Sequence, residues 1–296
     1  MSPAPDGTIT WRELLAEAIE RLTSAGSGSA AVDARWIVAE CLEVSSAELS
    51  GALGELATGR GVARFDDMVA RRTAGEPLQY VLGSWGFRRL DLMVDRRVLI
   101  PRPETESVVE VALAELDALG GRDRPTRVVD LGTGSGAIAL SLAVERVRTE
   151  VWATDASADA LAVARANIAG VGRAGARVRI ASGDWFGALP AHLRHTIDLV
   201  ISNPPYVAGD ADLPDEVAVW EPASALVSGT DGTDDLRRII SEAPGWLNST
   251  GVLVCELSPE QAPALVHHAL AHFERARVED DLTGRPRALV AHLARR

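Results

Sequence analysis

The sequence predicts an α/β fold in which a Rossmann-like, mainly parallel sheet follows a small N-terminal helical bundle. From Arg127 onward, short apolar strands alternate with helices, the pattern of a doubly wound sheet. In roughly the first 75 residues, apolar residues instead recur at helical spacing between Gly- and Ser-rich breaks. Only the four residues TGRP separate the last two strands, RARVEDDL and RALVAHLA. Because a parallel crossover needs a longer connection, these strands are predicted to form an antiparallel hairpin.

These elements divide the chain into three predicted segments. Residues 1–76 form a helical domain, whose first helix, TWRELLAEAIERLTSAG, has Thr10 at the N-cap and Glu13 three positions later, as in a capping box. AAVDARWIVAECLEV and GVARFDDMVARRTAG show the same periodicity. Residues 77–106 are predicted to be a β-hairpin linker, because YVLGSWGFRRLDLMV and RRVLI have the composition of strands. Residues 107–296 are predicted to contain the sheet.

The composition of the chain argues against several classes of protein and of mechanism. The 296 residues carry a formal net charge of −12 at pH 7, and no apolar run is long enough to span a bilayer. This acidity argues against a nucleic-acid substrate, which a basic face usually binds. The sequence has no lysine, so a lysine nucleophile is excluded. The N-terminus lacks a signal-peptide pattern, and two distant cysteines, Cys41 and Cys255, suggest a reducing compartment. We therefore expect a cytoplasmic protein without membrane contact.

A glycine-rich turn after the first strand of the sheet predicts a cofactor site. In VVDLGTGSGAIAL, Asp130 ends a strand and the turn leads into a helix. Glycines there allow a tight turn and let a ligand lie against bare backbone. The predicted contacts are Gly132, Thr133, Gly134, Ser135 and Gly136. The glycines also match the loose pattern for nicotinamide dinucleotides, so they alone do not decide the cofactor.

The ends of the next three strands supply further candidate contacts. Asp155 ends EVWATD and is suited to accept hydrogen bonds from two ribose hydroxyls. Asp184 is suited to accept from an adenine amino group, and Trp185 to lie against the ring. Asn203 follows the fourth strand, and all four strand ends open onto one crevice of a parallel sheet. Together they favour S-adenosyl-L-methionine, with S-adenosyl-L-homocysteine as product, because the sequence shows neither a second phosphate site nor a hydride-transfer pocket.

The fourth strand ends on a stiff corner, in DLVISNPPYVAG. The predicted catalytic residues are its members Asn203, Pro204, Pro205 and Tyr206. The two prolines fix two φ angles and remove two donors, so the corner exposes carbonyl oxygens. It resembles the NPPY motif of methyltransferases that act on glutamine amides and nucleobase amines. In such a site the Asn203 side-chain oxygen and the Pro204 carbonyl each accept one N–H of a flat –NH₂ group, which directs its nitrogen at the sulfonium methyl. Tyr206 is expected to lie against the same group.

From about residue 10 to the C-terminus, the sequence resembles the protein-(glutamine) methyltransferases that modify peptide chain release factors. The motifs that carry the resemblance are GEPLQYVLGSWGF, VLIPRPETE, DLGTGSGAIALSLA, SGDWF, SNPPYV, EPASALVSGTDG, CELSPEQA and DLTGRPR. The resemblance implies a class I, S-adenosylmethionine-dependent methyltransferase with a substrate-docking N-terminal domain. It also implies that the substrate is the glutamine of the release factors' Gly-Gly-Gln motif, methylated on its side-chain amide nitrogen.

Three alternatives stay open on the sequence. A family that methylates a glutamine of a large-subunit ribosomal protein shares the helical domain and NPPY, but differs where this chain has PRPETE, residues 101–106. A nucleic-acid adenine methyltransferase shares the corner but should add a basic and aromatic target-recognition region. A binding module that has lost its chemistry should show damage at Asp155, Asn203 or the glycines, and the sequence shows none. No metal site is expected, and the roles of residues 101–106, Glu221 and Glu256 stay open.

Overall fold

The structure, a computed structural model, describes residues 8–293 of the chain. It divides into two compact units, Met1–Ser84 and Trp85–Arg296. Residues 1–7, part of the stretch that lacks a signal-peptide pattern, and residues 294–296 lie outside the described residues. The segment boundaries after residues 76 and 106 stay predictions. None of the helices in the described range is both long enough and apolar enough to cross a membrane.

The described part of the first unit is mainly helical. The predicted capping box is present: Thr10 Oγ1 accepts from the backbone N–H of Glu13, and the Glu13 carboxylate accepts from the backbone N–H of Thr10 at 2.8 Å. Apolar side chains at helical spacing, among them Leu14, Ile37 and Phe65, share one core. The helices are α1 (Trp11–Ser24), α2 (Ala30–Leu42), α3 (Leu49–Ala52), α4 (Gly59–Thr73) and α5 (Leu78–Leu82). The three long helices α1, α2 and α4 confirm the three predicted ones.

Two stretches that were predicted as strands have another structure. The start of YVLGSWGF belongs to helix α5, which ends because Gly83 adopts φ +80° and its N–H bonds the Gln79 carbonyl. RRVLI, residues 96–100, is a loop, in which Ile100 donates its backbone N–H to Glu221 instead of to a neighbouring strand. In both stretches apolar side chains are buried, and a short apolar run does not by itself distinguish a strand from another buried segment.

A hairpin is present between these two stretches, formed by β1 (Ser84–Phe87) and β2 (Leu90–Met93). Arg88 in its turn has φ +51°, and its backbone N–H donates to Glu106 at 2.9 Å. Its guanidinium donates to Glu145 at 2.6 and 2.9 Å and to Glu110 at 2.8 Å. These contacts fasten the turn to two helices of the second unit.

The second unit contains one mixed sheet within its described residues. Its strands are β3 (Thr126–Leu131), β4 (Thr149–Asp155), β5 (Val178–Ser182), β6 (Ile197–Ser202), β7 (Leu247–Glu256), β8 (Arg275–Asp280) and β9 (Pro286–His292). Their order in the sheet is β5-β4-β3-β6-β7-β9-β8. Strands β3 to β7 are parallel, and β9 runs antiparallel to β7 and β8. The doubly wound α/β class and the antiparallel C-terminal hairpin are therefore confirmed.

Helices cover both faces of this sheet, because its strands are apolar on both sides. They are α6 (Pro103–Ala118), α7 (Ala137–Glu145), α8 (Ala158–Gly170), α10 (Asp234–Glu242) and α11 (Ala262–Ala269). One further short helix, α9 (Asp215–Ala218), has no buried residue. Short 3₁₀ helices occupy Gly172–Arg177, Trp185–Ala188, Ala191–Leu193, Ala223–Ala225, Ala243–Gly245 and Pro259–Gln261. Along β3, Val128 packs in the core with α6 and α7, whereas Val129 and Leu131 pack in the core with α10 and α11. Alternate side chains of one strand thus support two cores.

The order of the strands locates a crevice. Strands β3 and β6 are neighbours, but the chain passes from β3 to β4 and β5 on one side before it returns to β6 on the other. The connections therefore diverge at the carboxyl ends of β3 and β6, the point where doubly wound sheets bind ligands. The glycine turn follows β3 at this point, and the Asn-Pro-Pro-Tyr corner follows β6.

Candidate active site

A cavity of about 270 Å³ opens at the carboxyl ends of strands β3 to β6, where the sequence predicts the site. The predicted residues that line it are Gly132, Gly134, Asp155, Asp184, Trp185, Asn203 and Pro205. Thr133, Ser135, Gly136, Pro204 and Tyr206 lie outside its lining. The sheet thus brings four separate strand ends to one cavity, while the role of each residue stays a prediction. No cluster of three or more His, Cys, Asp or Glu side chains suited to a metal ion occurs within residues 8–293.

The glycine turn puts bare backbone on the cavity wall. Gly132 and Gly134 have φ +70° and φ +54°, a conformation that residues with a Cβ rarely adopt. A Cβ on Gly134 would meet no atom within 4 Å, and one on Gly132 would lie 3.3 Å from the Trp185 ring. Gly136, with φ +87°, is the N-cap of α7, and a Cβ there would meet Leu140 at 3.4 Å. Gly132 and Gly134 therefore allow the close approach of a ligand, whereas Gly136 allows the helix to start.

Thr133 and Ser135 support the turn from behind. The Thr133 hydroxyl donates to Asp130 Oδ2 at 2.6 Å, and the backbone N–H of Ala139 donates to the same oxygen at 3.1 Å. Burial raises the pKa of Asp130 to about 7, although these two hydrogen bonds lower it. The Ser135 carbonyl accepts from Asn167 Nδ2 at 2.8 Å. Both side chains are buried, and Thr133 through its hydroxyl and Ser135 through its carbonyl hold the shape of the turn rather than form its cavity face.

Asp155 ties the end of β4 to the glycine turn. Its Oδ2 accepts from the backbone N–H of Gly134 at 2.9 Å, and its Oδ1 accepts from the backbone N–H of Ser157 at 2.9 Å. A carboxylate can accept about four hydrogen bonds, so each oxygen keeps a free lone pair. A half-buried carboxylate of fixed orientation on the cavity wall is suited to bind a pair of hydroxyl groups.

Trp185 is held beside the glycine turn by a hydrogen bond that the sequence did not predict. It has φ +45°, and its indole N–H donates to Asp235 Oδ1 at 3.0 Å. Asp235 Oδ2 in turn accepts from Ser228 Oγ at 2.7 Å. Asp184 pairs through Oδ2 with Arg238 at 2.7 Å, and its backbone carbonyl accepts from Gly187. The indole ring is thus fixed in the cavity wall.

The Asn-Pro-Pro-Tyr corner begins at a fixed point. Ser202 Oγ donates to the Leu131 carbonyl at 2.7 Å, which joins the ends of β6 and β3. Asn203 Nδ2 donates to Thr105 Oγ1 at 3.2 Å. Within the described residues, neither the Asn203 side-chain oxygen nor the Pro204 carbonyl accepts a hydrogen bond from the protein. The corner therefore has two acceptors without protein donors, although only Asn203 of this pair lines the cavity.

Tyr206 points its hydroxyl away from the cavity lining, towards a buried carboxylate. The hydroxyl donates to Glu256 Oε1 at 3.2 Å, and Thr105 Oγ1 donates to Glu256 Oε2 at 2.7 Å. Burial raises the pKa of Glu256 to about 7, although the bonds from Thr105 and Tyr206 and the charge of Arg287 lower it. Burial also raises the pKa of the Tyr206 phenol, so the hydroxyl keeps its proton.

The PRPETE stretch, residues 101–106, acts on the site through three contacts. The Arg102 guanidinium forms an ion pair with Glu221, whose carboxylate also accepts from the backbone N–H of Ile100. Thr105 lies between Asn203 and Glu256, as described above. Glu106 accepts from the hairpin turn. The stretch therefore connects the corner, the hairpin and the loop after the corner.

Several residues around the cavity were not predicted from the sequence. The unpredicted lining residues are Arg97, Val98, Leu99, Thr154, Ala156, Ser157, Ala160, Gly183, Pro222, Ser224, Ala225 and Asp235. Most come from loops whose course no local pattern fixes. Glu256, behind the lining, did carry a signal, because it is an acidic residue at the end of the apolar strand GVLVCE. The same signal identified Asp155.

Known proteins resemble the chain over most of its length. The release factor glutamine methyltransferase of Cereibacter sphaeroides is 40% identical over 287 residues, which are 95% of this chain and 98% of that protein. The enzyme of the same name from Deinococcus radiodurans is 38% identical over 284 residues, 96% of this chain and 98% of that protein.

The chain belongs to the release factor glutamine methyltransferase family.

Two family models agree with this membership and cover different parts of the chain. Residues 13–83 match the PrmC N-terminal domain, and residues 111–221 match the methyltransferase small domain. Among solved structures, a methyltransferase from Pyrococcus furiosus superposes with a TM-score of 0.50 at 17% identity, covering 80% of this chain and all of that chain. At this identity the superposition bears on the fold, and it confirms the predicted class I methyltransferase architecture. The family that the sequence motifs indicated, that of the release factor glutamine methyltransferases, is confirmed as well.

Proposed function

We propose that this protein transfers the methyl group of S-adenosyl-L-methionine to the side-chain amide nitrogen of the glutamine in the Gly-Gly-Gln motif of peptide chain release factors. The observation that carries the proposal is the Asn203 amide in the cavity wall. Its nitrogen is bound to Thr105, and its oxygen accepts no hydrogen bond from the described part of the protein. The names of the family members include release factors, which supports the proposed substrate. Because release factors act on ribosomes, a cytoplasmic location belongs to the same proposal.

The cavity wall suits S-adenosyl-L-methionine as the cofactor. The bare backbone at Gly132 and Gly134 permits the close approach that a bulky cofactor needs. Asp155 keeps acceptors for two ribose hydroxyls, and the Trp185 face can lie against an adenine ring. Asp184 Oδ1 is the carboxylate oxygen outside the pair with Arg238 and can accept from the adenine amino group. Thr133, Ser135 and Gly136 take part by holding the turn in shape.

The corner's part in the reaction is to hold and aim the glutamine amide. When bound, S-adenosyl-L-methionine supplies an electrophilic methyl group on a sulfonium. The Asn203 oxygen and the Pro204 carbonyl each accept one N–H of the amide, which fixes the plane of the –NH₂ group and directs its nitrogen. Both acceptors also stabilise positive charge that develops on that nitrogen. Directly after methyl transfer the amide nitrogen carries a positive charge, and in that state it is acidic enough to lose one of its protons to water, so the site needs no strong base.

Pro205 and Tyr206 complete the corner. Pro205 lines the cavity and stiffens the turn, since its ring fixes φ. Tyr206 is anchored at its hydroxyl by Glu256 and at its carbonyl by Gln261 Nε2, at 2.9 Å. This double anchor leaves the ring face, rather than the hydroxyl, for contact with the substrate amide.

The alternative substrates receive less support. The named relatives act on release factors rather than on a ribosomal protein, as far as their names state. A formal net charge of −12 opposes the approach of a phosphate backbone. We therefore include no nucleic acid in the proposed function.

Methyl transfer from labelled S-adenosyl-L-methionine tests the proposal. The full chain is incubated with an unmethylated release factor, with the same factor carrying Gln→Ala in its Gly-Gly-Gln motif, with ribosomal large-subunit proteins, and with DNA and RNA. We expect label in the first sample alone. Equal labelling of the Gln→Ala factor, or label in the ribosomal proteins or nucleic acids instead, would overturn the substrate.

A further inference from the structure

A buried chain of hydrogen bonds lies behind Asn203. Asn203 Nδ2 donates to Thr105 Oγ1 at 3.2 Å, and Thr105 Oγ1 donates to Glu256 Oε2 at 2.7 Å. The other carboxylate oxygen, Oε1, accepts from the Tyr206 hydroxyl at 3.2 Å. Thr105 is 4% exposed and Glu256 is not exposed at all, so water does not compete for these bonds. We refer to Asn203, Thr105 and Glu256 as the relay.

The relay has a direction that follows from the number of its hydrogens. Thr105 has one hydroxyl hydrogen and can donate it to only one neighbour. An ionised carboxylate accepts but cannot donate, and a hydrogen bond to it is stronger than one to a neutral amide. Thr105 therefore donates to Glu256 and accepts from Asn203. Because only the nitrogen of the Asn203 amide can donate, its oxygen must lie on the side away from Thr105.

We propose that the Glu256 carboxylate, acting through Thr105, sets the orientation of the Asn203 amide and so presents its oxygen to the –NH₂ group of the substrate. The inference rests on the proposed function, in which that oxygen accepts one N–H of a glutamine amide. Glu256 also anchors the Tyr206 hydroxyl, so one buried carboxylate orients two residues of the corner. Thr105 and Glu256 lie outside the cavity lining and act as positioning residues.

If the hydrogen bonds of the relay ran in the opposite direction, the Asn203 amide would present its nitrogen instead of its oxygen to the cavity. If position 256 donates to Thr105, the Thr105 hydroxyl is free to donate to Asn203. The asparagine can accept that bond only through its oxygen, which turns its –NH₂ group towards the cavity. An –NH₂ group has no acceptor for the N–H of a glutamine, so the nitrogen of the substrate is no longer aimed.

The groups around Glu256 set its pKa and therefore the pH range in which the hydrogen bonds of the relay keep their direction. Arg287 of β9 lowers the pKa of the carboxyl, Glu104 of α6 raises it, and the bonds from Tyr206 and Thr105 lower it. Burial is the largest cause, and it brings the pKa to about 7. Protonation below that pH supplies a hydrogen at Glu256, so kcat should fall as the pH drops through about 7.

Four variants of the full chain test the relay in the methyl-transfer reaction. Thr105→Val removes the hydroxyl at similar volume, Glu256→Gln supplies a donor, and Thr105→Ser keeps the hydroxyl. Thr149→Val is the matched control, because it removes another buried threonine hydroxyl, which bonds Thr126 at 2.9 Å at the opposite end of β4. The measurements are kcat and KM for the release factor, kcat against pH, the dissociation constant of S-adenosyl-L-methionine and the melting temperature.

We expect Thr105→Val and Glu256→Gln to lower kcat on the order of tenfold to a hundredfold, the scale of a misplaced reacting group. The dissociation constant of the cofactor should stay at the parent value in both variants. Thr105→Ser, which keeps the hydroxyl, should have a kcat close to that of the parent chain. Glu256→Gln should also abolish the fall in kcat with decreasing pH near 7. Parent kcat in both variants, an equal loss in Thr149→Val, or an equal loss of cofactor affinity would each overturn the proposal.

The orientation of Asn203 can also be measured without a substrate. In isotope-labelled protein, the side-chain amide signal of Asn203, assigned with Asn203→Ala, reports the bond to Thr105. We expect this signal to shift in Thr105→Val and Glu256→Gln and to return in Thr105→Ser. An unchanged signal in the first two variants would overturn the relay. Since no methyl transfer is needed, this measurement separates failure of the relay from failure of the proposed function.

Discussion

Burial of the Glu256 side chain makes the free energy of unfolding depend on pH. Its pKa rises from an ordinary value of 4.5 to about 7, which corresponds to roughly 3 kcal/mol between the two protonation states. Between those two pH values the folded chain binds more protons than the unfolded chain. The free energy of unfolding therefore falls as the pH rises through this window, and it levels off above about 7, where Glu256 is ionised in both states.

Glu256→Gln should remove this dependence. The free energy of unfolding of the variant, minus that of the parent chain, should increase by up to about 3 kcal/mol between about pH 5 and pH 8. Urea unfolding of both chains over a series of pH values measures the difference. Asp130, whose pKa burial also raises to about 7, is present in both chains and cancels. A difference that stays constant with pH would mean that the Glu256 carboxyl titrates at its ordinary value in the folded chain.

Single residues were predictable from the sequence where a local pattern marks them. Asp155 and Asn203 follow apolar strands, and the alternation of strands and helices implies that such positions meet at one edge of the sheet. The bond between Thr105 and Glu256 carries no such mark, because it joins residues 151 positions apart. The position of Pro204 outside the cavity lining depends on backbone angles at the corner, which the residue types alone do not determine.

Among the elements, the segment from β3 through the glycine turn to α7 determines the shape of the cavity wall. β3 is buried on both faces and fixes where the turn begins, and Gly136 is the N-cap of α7, which begins at Ala137. Between them the chain reverses direction with three residues at positive φ, Gly132, Gly134 and Gly136. The turn therefore depends on glycine for its backbone conformation as well as for its open space.

Gly132→Ala should damage this element. The alanine would need φ +70° and would place its Cβ 3.3 Å from the Trp185 ring, so we expect a loss of about 1–2 kcal/mol in the free energy of unfolding and weaker binding of S-adenosyl-L-methionine. Gly187→Ala is the control, because this nearby glycine has no positive φ and a Cβ there meets no atom within 4 Å. Urea unfolding and calorimetric titration measure both quantities. If the two variants behave alike, the turn does not require a glycine at position 132.

Elements were predicted well where periodicity, caps and breaks agree. Helices α1, α2 and α4 show apolar spacing over three or more turns, and the capping box at Thr10 marks the first of them. The prediction was wrong over residues 96–100, where Val98 and Ile100 are buried although no strand is present. There the backbone of Ile100 is satisfied by Glu221, a partner 121 positions away that no local pattern reveals.

For the whole molecule, charge and family membership point to the same kind of partner. A net charge of −12 repels phosphate backbones at long range, which agrees with the proposed protein substrate. The relatives from Cereibacter sphaeroides and Deinococcus radiodurans align over nearly the full chain, so the family covers both units rather than the catalytic sheet alone.

In the proposed reaction, the methyl group goes to the nitrogen of a glutamine side-chain amide. The most direct test is to hydrolyse, in strong acid, a release factor that the parent chain has labelled from S-adenosyl-L-methionine. Acid cleaves the amide, so a methyl on its nitrogen leaves as methylamine, a methyl ester leaves as methanol, and a methyl on carbon stays with the amino acid. We predict that the label is recovered as methylamine and that the Gln→Ala factor yields none. Label recovered as methanol, or retained in the amino-acid fraction, would show that the methyl group is not on the amide nitrogen.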